Sequence, residues 1–157
     1  MEGHNCLATN MQVNILSGLP GSGKSYHLRK HRQPGDIVLS ADIVMGPIFK
    51  GYRLPEIHQS LIREYVALME RGGAKTVWID NTNVSAAEIA PYYTVGKAFG
   101  AEVDILRFIP DPRIASARKV HAVSPETFQK MQQKLIRLIW EEINGFVMWK
   151  PSQIFYD

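Results

Sequence analysis

Residues 17–25 read SGLPGSGKS and directly follow the apolar run QVNIL. Gly18, Gly23, Lys24 and Ser25 fill every fixed position of the pattern Gly-x-x-x-x-Gly-Lys-Ser. Glycines let backbone N–H groups turn inward around a phosphate without Cβ clashes, and a helix that begins near Gly23 directs its positive end at the anion. The spacing predicts a phosphate-binding loop formed by Gly18, Gly21, Ser22, Gly23 and Lys24.

The residues around this loop predict a site for a nucleoside triphosphate with Mg²⁺. Lys24 supplies a mobile positive charge for the β- and γ-phosphates, and the hydroxyl of Ser25 can bind Mg²⁺. Asp80 ends the apolar run VWID, the usual place of a carboxylate that helps to hold the metal. A polar turn before a helix cap at Ser85 is the alternative reading of Asp80.

Two further clusters should meet the loop, because ligands of parallel α/β sheets bind beyond the carboxyl ends of the strands. The segment LSAD ends with Asp42, a carboxylate that could accept the proton of an acceptor hydroxyl; a helix N-cap is the alternative. The basic stretch RIASARKVHAV contains Arg118, which could stabilise the phosphate during transfer or simply be a surface cation.

Other polar residues near these clusters are candidate contacts to an acceptor. Asn81 and Asn83 lie in the segment IDNTN, and Arg53 follows Phe49 and Tyr52 after Asp42. The two aromatic rings could stack on a base, or they could pin their segment onto the core.

Short apolar runs alternate with helical patterns along the chain. The runs are 12–17, 36–40, 76–80, 102–109 and 153–156; the helical patterns are 23–31, 56–71, 85–100 and 124–145. Alternating strands and helices predict an α/β fold with a mostly parallel sheet of about five strands and helices on both faces. The tryptophans Trp78, Trp140 and Trp149 are expected to pack in the core.

Composition and charge set limits on the class of protein. The 157 residues are 45% hydrophobic and contain no repeat or linker, which predicts a flexible tail at 1–10 and one domain at 11–157. No apolar run reaches the roughly 18–20 residues of a membrane helix, the first ten residues lack a signal-peptide core, and Cys6 is the only cysteine. We therefore expect a cytoplasmic protein without a membrane partner.

Positive charge is concentrated late in the chain. Six cations and one acid lie between Pro112 and Trp140. They are compatible with solvated helix faces or with a surface that neutralises a polyphosphate or a nucleic acid.

The segments GLPGSGKS, LSAD, IDNTN and RKVHAVSPETFQKM stand in an order and spacing that resemble the P-loop polynucleotide-kinase-like family, from about Val13 to Leu135. That family includes the 5′-hydroxyl polynucleotide kinases of bacteriophages. The resemblance implies a P-loop kinase-type three-layer αβα sandwich with a helical lid and ATP as the phosphate donor. Asp42 falls on the family's general-base position, and Arg118 and His121 fall on its lid pattern.

The resemblance also implies an acceptor, the 5′-hydroxyl at the end of a DNA or RNA strand. Met45 stands where the phage kinases have an arginine that helps to hold the substrate phosphate. A small hydroxyl compound such as a nucleoside, a sugar or an antibiotic therefore remains an alternative acceptor. An ATP-binding interaction module without transfer activity is the third reading, against which Asp42 argues.

Overall fold

The computed structural model describes residues 11–41, 54–110 and 124–156. In these ranges five strands alternate with four helices. The strands are β1 (Gln12–Gly18), β2 (Ile37–Leu39), β3 (Thr76–Asp80), β4 (Glu102–Ile109) and β5 (Gln153–Tyr156). The helices are α1 (Lys24–His31), α2 (Leu54–Arg71), α3 (Ala86–Ala98) and α4 (Pro125–Ile143).

The strands form one parallel sheet in the order β2-β3-β1-β4-β5. The predicted α/β fold and its five-stranded sheet are therefore confirmed. After the central strand β1, the chain adds β2 and β3 at one edge of the sheet. It then crosses over β1 and adds β4 and β5 at the other edge. The carboxyl end of β1 is consequently the point where the direction of winding reverses, which is where such sheets bind their ligands.

The two faces of the sheet are covered by different helices. Val13 and Ile15 of β1 belong to the main apolar core with residues of α2, α3 and α4. Leu16 belongs to a smaller core with Leu28 of α1. Since successive side chains of a strand point to opposite faces, α1 covers one face and the other three helices cover the opposite face.

The helix ends follow the sequence signals. The N–H of Glu88 donates to the hydroxyl of Ser85 at 3.3 Å, and the N–H of Thr127 donates to the hydroxyl of Ser124 at 3.1 Å. Left-handed glycines follow three of the helices, at Gly72, Gly100 and Gly145. The helix α3 continues through Pro91. Capping hydroxyls and glycines after the last turn thus set the bounds of these helices.

One prediction about the core was wrong. Trp78 and Trp149 are buried, but the side chain of Trp140 is 54% exposed and stacks on Phe146 with ring centroids 5.3 Å apart. The buried side of α4 contains Leu138, and a residue two positions further along a helix points about 200° away. Trp140 is therefore on the outer side of α4.

None of the helices in the described ranges is both long and apolar enough to cross a bilayer.

Candidate active site

The glycine loop joins the central strand to the helix behind it. Gly18 is the last residue of β1, and α1 begins at Lys24. Gly21 and Gly23 have φ angles of 81° and 101°. Residues with a Cβ rarely adopt this left-handed region, and such turns direct successive N–H groups toward one concave side. The backbone of the loop therefore has the shape that an anion requires.

Lys24 lies inside this loop. Its Nζ donates hydrogen bonds to the carbonyls of Gly18 at 2.7 Å and Leu19 at 3.0 Å, and the residue is only 9% exposed. These bonds fold the lysine back over the first residues of the loop. Ser25, the next residue, is exposed in the first turn of α1. The structure thus brings together the cradle residues that the sequence predicts.

Gly18 is required for a steric reason. A Cβ at this position would lie 2.7 Å from Ser22 Oγ, 2.9 Å from Phe108 Cβ and 2.9 Å from the backbone oxygen of Phe108. Backbone atoms of β4 cannot give way as a flexible side chain can. We expect Gly18→Ala to displace the loop, with a loss of about 1–3 kcal/mol in the free energy of unfolding and weaker nucleotide binding. Thermal unfolding and nucleotide titration measure the two effects.

Gly145→Ala is the matched control for this substitution. Gly145 has a φ angle of 75° after α4, and among the described residues no atom other than those of its chain neighbours lies within 4 Å of a Cβ placed there. The control should lose stability through backbone strain while nucleotide affinity stays unchanged. Equal nucleotide affinity in Gly18→Ala and wild type would contradict the steric argument.

Asp80 and Asn81 stand at the carboxyl end of β3, next to β1. Asp80 pairs in register with Leu16, two residues before Gly18. Asn81 Oδ1 accepts a hydrogen bond from the backbone N–H of Ala41 at 2.9 Å. Because an N–H can only donate, this bond fixes the orientation of the amide and directs Nδ2 elsewhere.

The Nδ2 of Asn81 is buried and has no hydrogen-bond partner within the described ranges, and the same is true of Ser22 Oγ in the loop. A buried polar atom without a partner is costly, so native proteins rarely keep one without a reason. Both atoms lie near the carboxyl end of β1, while the hydroxyl of Tyr92, in the main core, also lacks a partner within the described ranges.

Asn83 is a buried residue that hydrogen-bonds to the strand before the loop. It is 1% exposed with a φ angle of 46°, and its Nδ2 donates to the carbonyl of Leu16 at 2.7 Å. The N–H of Gly18 donates to the carbonyl of Thr82 at 2.8 Å. These bonds tie the turn after β3 to the end of β1. The predicted contact of Asn83 with a substrate stays a prediction.

The helix α1 is anchored by an aromatic cluster. His27 packs against the rings of Phe108, Phe155 and Trp78, with centroids 5.4, 4.6 and 6.2 Å away. Burial lowers the pKa of His27, and the positive charges of His31 and Lys30 lower it further. His27 is therefore neutral near pH 7, and α1 can pack against these aromatic rings without burying a charge.

Sequence reasoning missed three residues beneath the loop. Arg107 of β4 and Glu142 of α4 form a buried ion pair with an N–O distance of 2.7 Å, and Arg107 also donates to the hydroxyl of Ser17. The sequence does not single out these two charges, because β4 also contains Glu102 and Asp104 and α4 contains five other charged residues. It also does not reveal that the two charges meet.

The oxygen donors present suit Mg²⁺. No group of three or more His, Cys, Asp or Glu side chains in the described part of the chain is arranged to hold a metal ion. Mg²⁺ in phosphate sites uses one or two protein ligands and takes the others from phosphate and water. The Ser25 hydroxyl and the Asp80 carboxylate, on adjacent elements of the site, are hard ligands of this kind.

Four predicted site residues lie outside the described ranges: Asp42, Arg53, Arg118 and His121. Asp42 directly follows Ala41, whose N–H is held by Asn81.

A glycine loop between a central parallel strand and its helix, with a lysine folded over the loop, defines a P-loop nucleotide-binding domain. A family model described as AAA domain matches residues 13–136, well over half of the 157, so the chain belongs to this family.

The chain is also similar to several known proteins and solved structures. Human NEDD4-binding protein 2 is 29% identical over 137 residues, which are 80% of this chain but 8% of that protein. A chain of the Pnkp1/Rnl/Hen1 RNA repair complex superposes with a TM-score of 0.65 at 18% identity, covering 91% of this chain and 49% of that one. The APS kinase CysC of Mycobacterium tuberculosis superposes with a TM-score of 0.54 at 14% identity, covering 94% and 88%. The chain thus spans a small part of the first relative and about half of the second.

Proposed function

We propose that the protein is an ATP-dependent kinase whose acceptor is the 5′-hydroxyl of a single-stranded nucleic acid. The observation that carries the proposal is the loop itself, a glycine cradle closed by the buried amine of Lys24. A positive charge and a ring of N–H groups at one point of a parallel sheet bind the phosphates of a nucleotide.

Each residue would have a defined part in the transfer. Lys24 and the loop N–H groups hold the β- and γ-phosphates, and Ser25 with Asp80 would hold Mg²⁺, which neutralises charge on those phosphates. The acceptor oxygen forms a bond to the γ-phosphorus while the bond from that phosphorus to the bridging oxygen breaks and ADP leaves. Asp42 accepts the proton of the acceptor hydroxyl, and Arg118 stabilises the charge on the transferring group.

Three observations support a nucleic-acid acceptor. The order of motifs resembles polynucleotide kinases, and the fold resembles a chain of an RNA repair complex. The outer side of α4 also carries Lys130, Lys134 and Arg137, all exposed, at a spacing of four and three residues. Side chains at this spacing lie on one face of a helix, where they can neutralise successive phosphates of a strand.

A small-molecule kinase is the second candidate. The fold matches APS kinase over nearly the whole of both chains. Met45 offers no positive charge where the phage kinases have an arginine. A small acceptor without a neighbouring phosphate would not need that charge.

A transfer assay with γ-labelled ATP separates the candidates. We expect label on 5′-hydroxyl oligonucleotides, and a steep fall of activity between low and physiological salt, because each neutralised phosphate of a single strand contributes about 0.7 to the salt slope. A matched oligonucleotide that already carries a 5′-phosphate should receive no label. A nucleoside acceptor, if used at all, should show far weaker salt dependence.

The opposite pattern would overturn the proposed acceptor. Clear turnover of one small hydroxyl compound, with no label on any DNA or RNA oligonucleotide, would establish the second candidate. Substituting Lys134 and Arg137 with alanine should reduce the salt slope on single-stranded oligonucleotides if α4 contacts the strand, by about 0.7 per lost phosphate contact.

A further inference from the structure

A fully buried polar network lies directly beneath the phosphate loop. Arg107 and Glu142 are 1% and 5% exposed, and the two terminal nitrogens of the arginine each donate to one carboxylate oxygen at 2.7 Å. Arg107 Nε donates to Ser17 Oγ at 3.0 Å, and Ser17 Oγ donates to the carbonyl of Asn83 at 2.7 Å. Trp149 Nε1 donates to Glu142 at 3.1 Å.

The direction of each bond in this network is fixed by chemistry. A guanidinium can only donate, so Ser17 Oγ must accept from Arg107 and direct its single proton to Asn83. A positively charged donor on the oxygen polarises the O–H and strengthens the bond that the hydroxyl donates. The ion pair therefore determines both the position and the polarity of the Ser17 hydroxyl.

Ser17 is the residue immediately before the loop. β4 pairs with β1 as far as Gly18, but the paired register of β1 with β3 ends at Leu16 and Asp80. Beyond that point the bond from Ser17 to Asn83 continues the attachment of β1 to the turn after β3. The next carbonyl, that of Gly18, accepts a hydrogen bond from Lys24.

Stability alone does not explain a buried ion pair at this place. Uncharged replacements of such pairs are often neutral or stabilising, since removing two charges from water is costly. Here Arg107 of the pair also donates to Ser17, in the strand that leads into the phosphate loop. We infer that Arg107, held by Glu142, is a positioning residue that fixes the phosphate loop through the Ser17 hydroxyl. The inference rests on the proposed binding of ATP at this loop.

The test compares folding stability with nucleotide affinity. The double variant Arg107→Met/Glu142→Gln removes both charges, and glutamine at this position keeps an acceptor oxygen for Trp149. Single substitution of Arg107 would leave a buried carboxylate unpaired at a cost of about 3–5 kcal/mol, and the double variant avoids this penalty. We expect the double variant to fold and to bind ADP about tenfold more weakly than wild type. This factor corresponds to a loss of about 1.4 kcal/mol in the free energy of binding.

Ser17→Ala identifies the path through which the pair acts. It leaves the pair in place and removes only the hydroxyl, so its ADP affinity should fall by a similar factor. Combining it with the double variant should cause little further loss, because both changes break the same connection. Calorimetric titration with ADP, at a temperature where thermal unfolding shows every variant folded, measures these affinities.

Tyr65→Phe is the matched control for a lost buried hydroxyl. Tyr65 is fully buried and donates to the carbonyl of Tyr92 at 2.8 Å, in the core between α2 and α3. This variant should lose stability and keep wild-type ADP affinity.

The outcomes for the inference and for the proposed function differ. Wild-type ADP affinity in the folded double variant, or losses that simply add to those of Ser17→Ala, would contradict the positioning role alone. Wild type that binds ADP but transfers no phosphate would contradict only the kinase proposal. Wild type that binds no ADP would contradict both.

Discussion

Lys24→Ala should lower ATP affinity at least about tenfold and transfer about 10²-fold or more, since hydrogen bonds to charged groups contribute about 1.5–3 kcal/mol each. The side chain is the mobile cation of the loop, and its Nζ also bonds to the carbonyls of Gly18 and Leu19. The substitution thus removes a phosphate contact and two bonds that shape the cradle. Calorimetric titration with ATP and single-turnover transfer measure the two losses.

Lys30→Ala is the matched control for the lost charge. Lys30 is an exposed cation of the same helix, six residues beyond Lys24. Surface charges of this kind contribute little in physiological salt, so the control should bind ATP as wild type does. ATP affinity and turnover at wild-type level in Lys24→Ala would contradict the phosphate-site reading of the loop.

The sequence was sufficient for those parts of the molecule that local patterns determine. The strand before the loop, the cap at Ser85 and the proline start of α4 at Pro125 each depend on residues within one turn or one strand. Their structure follows the pattern because no distant contact opposes it. The loop is the clearest example, since Gly21 and Gly23 take left-handed backbone angles that their residue type predicts.

Contacts between distant segments could not be read from the sequence. Arg107 and Glu142 are separated by 35 positions, and the strand and helix patterns around them do not indicate that they meet. An arginine within a strand would normally be assigned to a solvent-facing position. Only the packing of α4 against β4 makes it the buried support of Ser17.

The error at Trp140 has a different cause. Large aromatic residues are usually at least partly buried, but the side of α4 that faces the sheet is set by Leu135, Leu138 and Glu142. Trp140 lies about 200° around the helix from Leu138, so the leucine spacing already places it on the outer side. The expectation of a buried tryptophan used the residue type and not this spacing.

Asp42→Asn should separate chemistry from donor binding. Asparagine has nearly the same shape as aspartate but cannot take up the proton of an acceptor hydroxyl. If Asp42 is the general base, transfer should fall by about 10²-fold or more while ATP affinity stays nearly unchanged, because the base acts on the acceptor. Single-turnover transfer at saturating ATP, with ATP affinity measured by titration, provides both numbers.

Asp36→Asn is the matched control, a carboxylate at the opposite end of β2. Its Oδ2 accepts hydrogen bonds from Trp78 Nε1 at 2.9 Å and from the N–H of Gln33 at 3.0 Å, and the amide oxygen of asparagine can replace it in part. Transfer should therefore be unchanged in the control. If Asp42→Asn instead kept full transfer but lost stability, Asp42 would be a helix cap, as its position after Ala41 also allows. The acceptor proton would then have to leave by another group, and the site would need a base that the motif pattern does not identify.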